Sequence, residues 1–227
     1  MNAKSVGIVG AGAWGTAVAQ ALARGENDVE IWAREQDVVD SINLNHENYR
    51  YLPKFRLSEN LSASTDILQV ASNKEFLVLA SPSLYLAPTV AQLLDVPSIR
   101  DGSTCIGVLT KGFVPSDKGP RLILETLEEV LPPCPVQLVW KNLVYISGPS
   151  HAEEVAMGKL TGLVAASENP KNSIRFRELL RVQGLMVYSS LDVVGVQICA
   201  AAKNVIAVIF GVLDAVAETS DLFGDNT

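Results

Sequence analysis

Residues 6–15 read Val6-Gly7-Ile8-Val9-Gly10-Ala11-Gly12-Ala13-Trp14-Gly15, and the fold turns on how this stretch is read. An apolar run leads into three spaced glycines, and an Ala-rich segment, Thr16 to Arg24, leads out. The pattern is strand, tight turn, helix, and it fits the G-x-G-x-x-G spacing of a dinucleotide-binding turn. Gly10 permits the sharp exit from the strand. Gly12 carries no Cβ to keep a pyrophosphate off the backbone, and Gly15 lets the helix lie close on the sheet. The helix N-terminus offers unpaired N–H groups and the positive end of its dipole to phosphate. Small residues at a strand–helix turn also arise for packing alone. The binding reading rests on the context, a strand before the turn and a helix after it.

The 227 residues carry a net charge of −7 and a pI near 4.9. No Lys/Arg run or basic patch stands out, which argues against nucleic acid as a partner. An acidic chain that takes an anion needs local positive charge, so single lysines in apolar or glycine-rich surroundings draw notice. Cys105, Cys134 and Cys199 are odd in number, widely spaced and lack a C-x-x-C pair. They suggest a reducing compartment, with neither a disulfide framework nor a zinc site. Met1 to Ala23 has a signal-like apolar stretch, but its three glycines favour the turn. Val193 to Leu213 has the apolar character of a membrane span. Gln197, Lys203 and Asn204 in its middle would be costly in lipid, so the expectation is a buried helix displaying a polar site.

Val29–Trp32 reads as the second strand. The acidic residue that would hold the ribose hydroxyls after it is displaced, because Ala33 and Arg34 come first and Glu35 one place later. Arg34 has three open roles: stacking on adenine, pairing with a 2′-phosphate, or standing solvated. Gln36–Asn43 reads as helix, and Asn45 to Pro53 as a polar loop containing His46. Glu75–Ala80 is a buried strand ended by Ser81-Pro82-Ser83, which would face a cofactor crevice. Tyr85–Leu94 reads as helix. Thr104–Leu109 reads as the next strand and delivers Thr110-Lys111-Gly112 to the same edge. Arg121–Val130 is an amphipathic helix broken by the prolines at 132–135. Asn142–Ile146 is a strand, and Ser150 with Glu153 resembles a capping box opening a short helix. Leu160–Ala166 and Leu185–Ser189 read as strands joined by the helix Ile174–Arg181. Past Asp192 strand patterns vanish and a long helix, Val193 to about Val216, begins.

Taken in order, these motifs resemble those of bacterial-type NAD(P)-dependent glycerol-3-phosphate dehydrogenases. The resemblance rests on Gly-Ala-Gly-Ala-Trp-Gly-Thr-Ala at 10–17, Tyr-Leu-Pro at 51–53, Thr-Lys-Gly at 110–112 and Ser-Gly-Pro-Ser at 147–150. Gly-Val-Gln at 195–197, Lys-Asn-Val at 203–205 and Gly-Asp-Asn-Thr at 224–227 complete it. It implies an α/β, Rossmann-like dinucleotide-binding domain over residues 1–190, and the start of an all-helical domain over 191–227. By the same resemblance Lys203 is the proton donor/acceptor and Lys111 a second active-site lysine. Gly148, Ser150, Lys111 and Lys203 would meet substrate. Gly10, Gly12, Ala13, Trp14, Gly15, Arg34, Lys111 and Ala152 would line the site of NAD or NADP, with no metal. As a base Lys203 needs a lowered pKa, and an apolar helix with Lys111 nearby would push that way.

The sequence departs from the family between Asp214 and Gly224, where a short glycine-rich turn is replaced by a longer stretch. The family also continues for roughly another hundred residues, a domain's worth. That part supplies an aspartate beside the catalytic lysine and an Arg-Asn pair for the substrate phosphate, so the chain is expected to be a fragment whose last helix exposes apolar faces. The implied partners are a phosphorylated triose and, as an open option, a second copy in a homodimer, without nucleic acid or membrane span. The implied place is the cytoplasm, in glycerophospholipid metabolism. Two other readings stay open: another two-domain reductase of hydroxy acids or sugar acids, and a non-catalytic nucleotide-binding module.

Overall fold

The computed structural model describes residues 3–117, 119–131 and 143–219. β1 (Ser5–Val9) leads into α1 (Ala13–Arg24), followed by β2 (Asp28–Trp32), α2 (Gln36–Asn45), β3 (Leu61–Ser64) and α3 (Ile67–Ala71). Next come β4 (Phe76–Leu79), α4 (Ser83–Ala91), α5 (Pro97–Arg100), β5 (Cys105–Val108) and α6 (Ile123–Val130). β6 (Leu143–Ser147), α7 (Ala152–Ala156), β7 (Thr161–Ala166), α8 (Pro170–Leu179), β8 (Leu185–Ser190) and α9 (Val193–Thr219) complete the described chain.

The described strands form one sheet in the order β3-β2-β1-β4-β5-β6-β7-β8. Pairings from β3 to β6 are parallel; β7 lies antiparallel to β6, and β8 parallel to β7. Strand order reverses between β1 and β4, so the connections leaving their carboxyl ends diverge to opposite faces and open a crevice there. Side-chain alternation divides the core in two. Val6, Ile8, Phe76 and Val78 point to the layer of α1, α7 and α8. Val9, Leu77 and Leu79 point to the layer of α3, α4 and α6. Burial on both faces explains why β4 is an unbroken apolar run.

This is the α/β, Rossmann-like fold expected from the sequence. Three elements were not anticipated: β3, α3 and the four-residue α5. β3 is four residues of Leu-Ser-Ala-Ser, too short and polar to stand out, and it holds the sheet edge by pairing with β2. α3 is capped by Asp66, whose carboxylate accepts from the N–H groups of Leu68 at 2.9 Å and Gln69 at 3.2 Å. Helix starts also move. Asn169 caps α8 ahead of Pro170, and α6 begins at Ile123 because Arg121 pairs backbone to backbone with Val114. The capping box expected at Ser150 does not form. His151 precedes α7, and the Ser150 hydroxyl turns back to the Gly148 carbonyl at 3.3 Å. Cys134, the proline-rich break at 132–135 and the motif at 224–227 lie outside the described residues.

α9 is not the buried helix expected. Its first turns dock on the sheet: Ala200 joins the core beside Val193 and Val196, and Gln197 is 2% exposed. The Gln197 amide oxygen accepts from the Leu124 N–H at 2.9 Å, and its amide nitrogen donates to Val193 O at 3.1 Å. Gln197 thus satisfies an N–H in the first turn of α6, a group with no partner inside that helix. From Asn204 to Ala217 every residue is exposed, including Val208, Ile209, Phe210 and Leu213. Val193–Ala217 has the length and mean hydropathy, 2.0, of a membrane-crossing helix. Its early turns, however, are committed to protein contacts.

Gly107, in the middle of β5, touches the α8 layer. A Cβ there would sit 2.5 Å from the ring of Phe176, which is itself fully buried. Gly107→Ala should therefore destabilise the fold by about 1–3 kcal/mol, the cost of overpacking. Chemical denaturation would register it as a lower midpoint at unchanged slope.

Candidate functional site

The crevice at the carboxyl ends of β1, β4 and β5 holds a cleft of about 370 Å³. Its floor is the glycine turn, Gly12 to Gly15. One wall is Ala80-Ser81-Pro82 and Thr110-Lys111, the other Ser150 to Ala152. Gly10 has φ +121°, a value that side chains disfavour, and a Cβ there would lie 2.9 Å from the Ala80 backbone. At Gly15 a Cβ would overlap the Gly10 carbonyl oxygen, so the first turn of α1 rests directly on the β1 exit. At Gly12 a Cβ would meet nothing within 4 Å. Two of the glycines serve packing, and the third faces open space at a helix N-terminus.

The wall is fixed from behind by buried hydrogen bonds. The Thr110 hydroxyl donates to Ser81 O at 2.7 Å, and the Tyr145 hydroxyl donates to Thr110 O at 2.9 Å. Tyr145 is fully buried, and burial pushes its pKa up to about 12, which keeps the phenol protonated as a donor. The peptide ahead of Lys111 is thereby tied to both β4 and β6. The Lys111 ammonium lies 5.3 Å from the centroid of the Trp14 ring, a cation–π distance. Lys203 reaches in from α9 and donates to Ser150 O at 2.8 Å.

The surroundings of Lys111 alter its acidity. Burial, and then the neighbouring charge of Lys203, lower its pKa from 10.5 to about 8. Lys203 itself is half-buried. Lys111 lines the cleft and Lys203 bonds to its Ser150 wall, in a chain of net charge −7, the local reversal of sign that an anionic ligand needs.

The remaining sequence-predicted residues separate. Ala13, Trp14 and Ala152 line the cleft. Gly148 faces β7, where a Cβ would overlap the Gly162 carbonyl, so it supports the Ser150 wall from below. Arg34 lies apart, at the end of β2. Its side chain is 80% exposed and pairs with Glu35 at 3.4 Å. Glu35 also accepts from the Tyr51 hydroxyl at 3.2 Å. Tyr145, His151 and Asn48 were not singled out from the sequence. Each is an ordinary loop or strand residue until the fold aligns it with the cleft.

The cleft suits a dinucleotide on two observations. A Cβ-free approach is open at Gly12. The Trp14 indole N–H is buried without a hydrogen-bond partner among the described residues, a donor left for something the cleft would hold. Residues 5–173 match the family model described as NAD-dependent glycerol-3-phosphate dehydrogenase N-terminus. The chain belongs to this family. A curated relative from Treponema denticola, glycerol-3-phosphate dehydrogenase [NAD(P)+], is 55% identical over 100% of the chain and 64% of its own length. The Bacillus subtilis relative of the same description is 33% identical, over 98% and 61%. A crystal structure of glycerol-3-phosphate dehydrogenase from Coxiella burnetii has TM-score 0.81 and 31% identity, covering 96% of this chain and 63% of that one. The chain thus spans a little under two thirds of the length of these relatives.

The lowered pKa of Lys111 has a stability consequence whose sign is defined. Its folded pKa, about 8, lies below the unfolded value of 10.5. Between those pH values the unfolded chain binds more protons, so this lysine's contribution to stability rises with pH across that window. Below pH 8 the desolvated charge is a cost. Lys111→Met removes it, so the variant should be at least as stable as wild type at pH 7. Its advantage should shrink as pH rises from 8 to 10. Paired urea titrations across that range measure the difference; a constant gap would refute the assignment.

Proposed function

We propose that the complete protein interconverts dihydroxyacetone phosphate and sn-glycerol 3-phosphate by hydride transfer with NAD(H) or NADP(H). The observation that carries this reading is Lys111 in the wall of a cleft floored by an open glycine turn, with Lys203 beside it and bonded to the Ser150 carbonyl of the opposite wall. The nicotinamide cofactor, when bound, supplies or accepts the hydride. The chain's own residues do the rest. Gly12 leaves room for the pyrophosphate, and the first N–H groups of α1 receive it. The Trp14 indole is the aromatic wall beside Lys111. Arg34, at the end of β2, stands where it can reach the adenosine end.

Lys203 gives a proton to the oxygen that becomes the alcohol of glycerol 3-phosphate, and in the reverse direction it removes that proton. Its charge also stabilises the oxygen as negative charge develops. Lys111 draws the substrate's anionic end to the same wall, with Gly148 and Ser150 shaping the pocket for it. In this reading residues 1–190 form the dinucleotide-binding domain, and 191–227 open a helical domain that closes over the substrate. The exposed apolar turns of α9 after Lys203 support that division, because such a surface calls for a protein partner. The reading includes a soluble cytoplasmic enzyme, a homodimer as one assembly it accommodates, and glycerol 3-phosphate supplied for phospholipid synthesis.

Two variants of the complete protein test the reading. Gly12→Val adds a branched side chain where the protein has no atoms within reach of a Cβ. Native circular dichroism should survive while affinity for NADH and NADPH falls sharply; unchanged affinity would remove the turn from the site. Lys203→Met keeps length and apolar fit but deletes charge and proton. Turnover of dihydroxyacetone phosphate should fall by about 10²–10⁴, as for loss of a general acid, with cofactor binding and melting temperature retained. Turnover within a few-fold of wild type would make Lys203 a structural residue.

A further inference from the structure

Asn48 lies in the loop after α2, outside every motif that points to chemistry, yet it is 0% exposed. Its amide nitrogen donates to the Ala11 carbonyl at 2.9 Å and to the Thr16 hydroxyl at 2.8 Å. Its amide oxygen accepts from the Tyr51 N–H at 3.1 Å. The Ala11 and Tyr51 contacts admit only one orientation of the amide, since a carbonyl must meet the nitrogen and an N–H the oxygen. The Thr16 hydroxyl also donates to Ala11 O, at 3.1 Å. The Ala11 carbonyl is therefore held toward the interior by two donors from different parts of the chain.

In a planar trans peptide the carbonyl and the following N–H point in opposite directions. Drawing the Ala11 carbonyl inward turns the Gly12 N–H outward, over the cleft floor. That N–H stands at the start of α1, where no intrahelical acceptor exists for it. The same side chain anchors the loop carrying Tyr51, Leu52 and Pro53. These three form, with Ala13 and His151, a second hollow of about 500 Å³ beside the cleft.

We propose that Asn48 is the positioning residue of the phosphate site: with Thr16 it locks the Ala11–Gly12 peptide so that the Gly12 N–H is aimed at the cofactor pyrophosphate. This rests on the dinucleotide reading above. It is a pre-organisation device, because an amide held in place need not be ordered when the phosphate arrives. Asn48 touches neither substrate nor cofactor, so its effect falls on cofactor affinity and not on the chemical step.

The test uses the complete protein with Asn48→Ala, Thr16→Val and the double variant. Fluorescence titration with NADH, competition by ADP and by adenosine, melting temperature and steady-state kinetics are measured on each. Asn48→Ala should weaken NADH and ADP by about tenfold or more, the scale of one charge-assisted hydrogen bond. Adenosine, which has no phosphate, should keep its affinity. KM for NADH should rise in step, while kcat at saturating NADH stays within about threefold. The two substitutions act on one carbonyl, so their effects on NADH affinity should be less than additive. Thr16→Val leaves the loop intact and carries the test if Asn48→Ala folds poorly. A merely structural Asn48 would lower melting temperature with unchanged NADH and ADP affinity, or with equal losses for adenosine, and either result overturns the proposal. Additive losses overturn it as well. Wild-type protein that binds neither NADH nor NADPH would instead overturn the dinucleotide reading itself.

Discussion

The close seat of α1 on the exit of β1 is the constraint on which the rest depends. A side chain at Gly15 would overlap the Gly10 carbonyl, and one at Gly10 would press on Ala80 at the end of β4. Three backbone segments therefore meet without side chains between them. That contact places a helix N-terminus, with its unpaired N–H groups, at the crevice mouth where strand order reverses. The two core layers on either face hold β1 and β4 in the register that brings these segments together.

Behind the cleft, stability and function use the same bonds. Buried polar groups must be paired, and here most of the pairs run between segments distant in sequence. Tyr145 on β6 holds Thr110 after β5, and Thr110 holds Ser81 after β4. Asn48 and Thr16 hold Ala11 after β1. Each bond satisfies a buried carbonyl and also fixes a loop that lines the site. Lys111 shows the cost of such a site. The structure holds an ammonium where burial and a second lysine both disfavour its charge, an arrangement that an anionic ligand would relieve.

α9 belongs to two environments. Up to Ala200 it is part of the sheet's core, and Gln197 gives it a polar anchor on α6. Lys203 marks the boundary, bonded to Ser150 O on one side, with a fully exposed apolar segment beyond it. The early turns of the helix are apolar where they pack on the sheet, and Gln197 and Lys203 are polar where they bond to α6 and to Ser150.

The sequence by itself determined the local chemistry. The glycine spacing at 10–15, the apolar run of β4 and the strand that ends at Thr110-Lys111 are legible because backbone conformation and burial on both sheet faces leave signatures within a few residues. Short or polar elements were not legible. β3 has four residues and takes its strand state from β2, and Ser150 lost its expected capping role to a carbonyl beside it. Gly148 read as a ligand position from its motif, and the fold adds that its Cα side packs on β7. Tertiary structure alone decided which residues meet. Asn48 and Tyr145 lie in no motif, and Gln197 was read only as part of 195–197; Asn48 meets Ala11 37 residues away, Tyr145 meets Thr110 35 away, and Gln197 meets Leu124 73 away. No local pattern encodes such a pairing, because it exists only once the sheet has brought the ends of β1, β4, β5 and β6 to one edge.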